Sequence, residues 1–94
     1  MKESYIERIL KKKVEQVGGK ALKFVSPGWA GAPDRLVLLP GGRLIFVELK
    51  APGRKPRPLQ LKRHEELRAL GFDVVVIDSL EGVEEFIRRW ADEI

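Results

Sequence analysis

A chain of 94 residues, 44% hydrophobic and 34% charged, has the size and balance of one folded domain, which excludes a two-domain protein and a disordered one. It contains no cysteine and one histidine, which removes disulfides, thiolate or multi-histidine zinc sites and a cysteine nucleophile. The net charge of +4 is unevenly spread, with +9 on residues 1–72 and −5 on residues 73–94, as expected of a basic body that meets a polyanion on one side.

The first predicted element is a helix. Ser4 and Glu7 fit an S-x-x-E capping box, and Ile6, Ile9, Leu10, Val14 and Val17 follow at helical spacing. Gly18-Gly19 is its stop. A short strand over 21–25 comes next. Residues 26–33 hold two prolines and two glycines and read as a loop. Two strands over 34–39 and 43–50 surround Pro40-Gly41-Gly42 as a β-hairpin. Residues 51–57 form a basic Pro/Gly loop, and Pro58 opens a helix that runs to Leu70 and stops at Gly71. The run Val74-Val75-Val76-Ile77 predicts a strand buried on both faces, with a parallel neighbour. Leu80, Val83, Ile87, Trp90 and Ile94 mark a closing amphipathic helix. The expected fold is α/β, in the order α-β-β-β-α-β-α, with a mixed four-stranded sheet and helices on both faces. Residues 1–94 form a single domain in this reading. No apolar run approaches the roughly 20 residues of a membrane helix. The N-terminus does not resemble a signal peptide, and a cytoplasmic location is expected.

Strand alternation places the chemistry. Leu44, Phe46, Glu48 and Lys50 share one face; Ile45, Val47 and Leu49 share the other. Burying Glu48 and Lys50 in a core is unfavourable, so a position at the rim of a cleft is expected for both. Two hairpin registers are open. With Pro40-Gly41-Gly42 as a three-residue loop, Leu39 pairs with Arg43 and Asp34 lies opposite Glu48 on the same face. With Gly41-Gly42 alone, Asp34 turns away. The first register sets two carboxylates about 5 Å apart. That arrangement is unfavourable unless a cation joins them, and hard oxygen ligands suit Mg²⁺ or Mn²⁺.

Gly31-Ala32-Pro33-Asp34-Arg35, followed after the hairpin by Glu48-Leu49-Lys50, resembles the PD-(D/E)XK nuclease motif. With an upstream helix carrying Glu7, and Gln60 on the helix after the lysine, the chain resembles the virus-type replication-repair nuclease (VRR-NUC) domain of that superfamily, in its small stand-alone phage form. The resemblance implies a restriction-endonuclease-like core and a Mg²⁺- or Mn²⁺-dependent endonuclease, in bacteria or phage-infected cells, acting on branched DNA such as four-way (Holliday) junctions. It implies Asp34, Glu48 and the Leu49 carbonyl as metal ligands, with Glu7 acting on the metal or its water. It also implies catalytic roles for Lys50 and Gln60. Lys50 either activates water or stabilises transition-state charge; a base role needs a neutral amine, and charge stabilisation is favoured. Whether one metal or two serve is open.

Gln60 shares a helix face with His64 and Leu67. It either bonds free backbone at the helix start or points into the cleft, and the resemblance favours the cleft. His64 reads as a partly buried, hydrogen-bonded helix residue rather than a ligand. Arg54, Lys55, Arg57, Lys62 and Arg63 crowd the same region as DNA-phosphate contacts. Trp29 is either a stacking surface for a DNA base or an anchor for its loop, with the anchor ranked first. The working unit is expected to be a homodimer that nicks a two-fold junction twice. The rivals are a monomer that cuts flaps or splayed arms, a non-catalytic nucleic-acid-binding module with the same fold, and a structural subunit of a phage assembly. Adjacent acids would repel phosphate without a metal, which disfavours the binding module.

Overall fold

Helix α1 (Glu3–Gln16) forms where Ile6, Leu10 and Val14 recur about once per turn, and all three are buried. The structure is a computed structural model, in which residues 1–91 are described. Six further elements follow: β1 (Lys20–Lys23), β2 (Arg35–Leu39), β3 (Arg43–Leu49), α2 (Pro58–Ala69), β4 (Asp73–Ile77) and α3 (Leu80–Ala91). The order is the expected one, with boundaries shifted by a residue or two. The sheet runs β1-β2-β3-β4, antiparallel until the parallel β3–β4 pair.

The larger core lies on one sheet face. Ile6, Leu10 and Val14 of α1 and Val83 and Phe86 of α3 pack there against Val37, Ile45, Val47, Leu49 and Ile77. A smaller cluster of Phe46, Leu67 and Val74 lies on the other face, beneath α2. Helices therefore cover both faces. The closing helix turns Phe86 inward along with Val83, a residue absent from the stripe expected there; Ile94 of that stripe lies outside the described residues. No helix among the described residues is long and apolar enough to cross a membrane.

Two local expectations fail. The Ser4/Glu7 capping box does not form: Lys2 occupies the N-cap position and its side chain makes no cap hydrogen bond. The helix starts at Glu3, so Ser4 is already helical, and the Glu7 carboxylate binds Arg35 instead. With Lys2 at the N-cap the N3 position falls on Tyr5, so Glu7 lies beyond the reach of a capping box. The Val74–Ile77 strand is not buried on both faces either. It is the sheet edge, and Val76 remains 38% exposed. The unbroken apolar run reflects parallel pairing with β3, which an edge strand can also make.

Candidate active site

The hairpin adopts the three-residue register. Leu39 pairs with Arg43 and Arg35 with Val47, which sets Asp34 against Glu48 one step beyond the end of β2. Gly41 and Gly42 both have positive φ, +87° and +78°, a backbone region open to glycine at little steric cost. The Asp34 carboxylate accepts a hydrogen bond from the Leu49 amide at 2.8 Å, so its Oδ2 is held against the end of β3.

Glu48 sits deeper than the rim position expected for it, with 0% of its surface exposed. The reason is α2, which lies over this face and supplies two polar side chains one turn apart. Gln60 Nε2 donates to Glu48 Oε2 at 3.2 Å, and His64 Nε2 lies 3.2 Å from Glu48 Oε1. Burial, a hydrogen bond to Asp34 and repulsion from the Asp34 charge raise the Glu48 carboxyl from 4.5 to about 8, against an opposing pull from Lys50. The Lys50 ammonium is 4.0 Å from Glu48 Oε2.

Gln60 satisfies both readings of its position. Its Oε1 accepts the Arg57 N–H at 2.8 Å at the start of α2, while its Nε2 reaches Glu48. His64 is hydrogen-bonded as expected but wholly buried, and burial lowers its pKa, with Arg68 adding to the effect. Glu7 is paired with Arg35, the neighbour of Asp34: Arg35 Nε donates to its Oε2 at 2.9 Å, and Arg35 Nη1 donates to the Ala21 carbonyl at 2.7 Å. The charge of Glu3, one turn earlier on α1, adds the smallest of the upward effects on Glu48.

The loop before Asp34 is fastened to α2. Arg63 Nε donates to the Ala30 carbonyl at 2.7 Å, and its guanidinium lies 5.2 Å from the Trp29 ring centroid. Trp29 also packs against the smaller core cluster, as a loop anchor does. Gly31 has φ +84°, and a Cβ there would come within 2.9 Å of the Leu59 side chain. Between loop and helix lies a groove of about 290 Å³ bordered by Ala30, Arg57 and Gln60. Arg54, Lys55, Arg57 and Lys62 are exposed, whereas Arg63 is held by Ala30, Trp29 and Glu66.

The donor set fits a hard divalent cation. Burial and the neighbouring Asp34 carboxylate disfavour the charged form of Glu48, and a cation there would relieve the same repulsion. No three acidic or histidine side chains among the described residues group closely enough to hold a metal by themselves. Backbone oxygen and water would complete the shell, as Mg²⁺ prefers.

No family profile matches the chain. It is 57% identical over 79 residues to "Putative nuclease p44" of Acyrthosiphon pisum secondary endosymbiont phage 1, covering 84% of this chain and 85% of that protein. A solved structure described as a VRR_NUC domain superimposes with a TM-score of 0.89 at 38% identity, covering 96% of this chain and 98% of the other. With the Pro33-Asp34 and Glu48-Leu49-Lys50 segments meeting at one end of the hairpin in this fold, the chain belongs to the VRR-NUC family.

Proposed function

We propose that this protein is a divalent-metal-dependent DNA endonuclease. The observation that carries the reading is the Asp34–Glu48 carboxylate pair beside the Lys50 ammonium, at the end of a hairpin whose register sets the acids face to face. Asp34, Glu48 and the Leu49 carbonyl would hold Mg²⁺ or Mn²⁺, with Glu7 of α1 acting on the metal or its water. The bound ion supplies Lewis-acid polarisation of the phosphate and an acidified water. Lys50 stabilises charge that builds on the phosphate in the transition state. Gln60 orients Glu48. Arg54, Lys55, Arg57 and Lys62 grip the flanking phosphates without reading sequence. The preferred substrate is a four-way junction and the working unit a homodimer, whose two-fold axis matches that of the junction.

The test is incubation of the purified protein with flap, splayed and four-way DNA in Mg²⁺, Mn²⁺ or EDTA. Cutting in either metal and none in EDTA is expected. Asp34→Ala, Glu48→Ala and Lys50→Ala are each expected to lose cleavage at least a hundredfold and still bind DNA. Full cutting in EDTA, or by either acid variant, refutes the site.

A further inference from the structure

His64 is the one histidine of the chain, it is wholly buried, and the reaction described above does not use it. Its Nε2 lies 3.2 Å from Glu48 Oε1, and its Nδ1 is buried without a hydrogen-bond partner. Gln60, one turn earlier on α2, serves the other oxygen of the same carboxylate. Each Glu48 oxygen thus meets one α2 side chain.

An ionised carboxylate only accepts hydrogen bonds, so an imidazole bonded to it must carry its proton on Nε2. A second proton on Nδ1 would be a buried donor with no acceptor, which is more costly than the idle lone pair there now. Two donors, one per oxygen, remove the rotation of the carboxyl group about its Cγ–Cδ bond. We propose that His64 is a positioning residue for Glu48: as a neutral Nε2–H imidazole it fixes, together with Gln60, the orientation in which the carboxylate meets a metal ion. This rests on the reading of Glu48 as a metal ligand. Groups that orient metal ligands typically affect metal affinity tenfold or more.

With one histidine, ¹⁵N-histidine NMR of the intact protein reports His64 without ambiguity. In EDTA at pH 9 the Nε2–H tautomer is expected, and an Nδ1–H tautomer overturns the proposal. Calorimetric Mn²⁺ binding and thermal melting of His64→Gln and His64→Leu complete the test. Gln carries an N–H donor near the Nε2 position, and Leu carries none. His64→Gln is expected to bind Mn²⁺ within about threefold of the parent, and His64→Leu about tenfold or more weakly. A folded Leu variant with parental affinity overturns the proposal, as does a folded Gln variant as weak as Leu. Should the Leu variant not fold, His64→Gln and the tautomer decide. A parent protein that binds no Mn²⁺ overturns the metal-site reading itself, a result separate from any tautomer found for His64.

Discussion

An unfolded Glu48 loses its proton near pH 4.5, whereas the folded one keeps it until about pH 8. Between those values the folded state binds more protons than the unfolded one, so stability falls with rising pH and levels off above about 8. The lowered His64 pKa acts in the opposite direction, but only below its ordinary value of 6.5. Between pH 7 and 8.5 Glu48 therefore sets the slope of this pair. Urea denaturation in EDTA is expected to give lower stability at pH 8.5 than at pH 7, with the difference abolished in Glu48→Gln. Stability that rises over this range would contradict the burial account. Glu7→Ala leaves the 8%-exposed Arg35 without its carboxylate and is expected to reduce stability by about 1–3 kcal/mol, read by denaturant melts.

Among the elements, apolar burial rather than surface charge holds α3 to the sheet. Phe86 is 2% exposed within the larger core, and Phe86→Ala is expected to cost about 3–5 kcal/mol. Lys13 and Glu84 join α1 to α3 at 3.2 Å, yet both side chains are well exposed. Lys13→Ala is expected to change stability by about 1 kcal/mol or less. Denaturant melts of the two variants check the contrast, and equal losses would show that the ion pair matters more than its exposure suggests. The hairpin does different work. Its register, with Leu39 paired to Arg43, brings Asp34 to Glu48.

At the scale of the whole molecule, Arg54, Lys55, Arg57 and Lys62 offer exposed positive charge beside the site. DNA affinity is expected to fall steeply with salt, and Arg54→Ala to lower the slope of log affinity against log salt by about 0.9, one phosphate contact. An unchanged slope would place Arg54 off the DNA path. A homodimer is expected in sedimentation, with paired nicks mapped on a fixed four-way junction. A monomer that prefers flaps would refute the junction reading and leave the nuclease reading in place.

The element order, the α1 core stripe, part of the α3 stripe and the shared strand face of Glu48 and Lys50 were legible from sequence. They depend on short-range regularities: the 3.6 and 2.0 periods, the turn chemistry of Gly and Pro, and the spacing of charged residues along one strand. The three-residue hairpin was legible as one of two registers, and pairing along the whole of β2 and β3 selected it. Tertiary structure alone decided how deep Glu48 lies, because that depends on where α2 settles across the sheet. The same docking set Gln60 and His64 on its two oxygens, and it anchored Trp29 through Arg63. It also decided that Glu7 pairs with Arg35, and that the valine-rich β4 is an edge. Each of these outcomes is a contact between residues distant in the chain, and local periodicity carries no information about which distant groups meet.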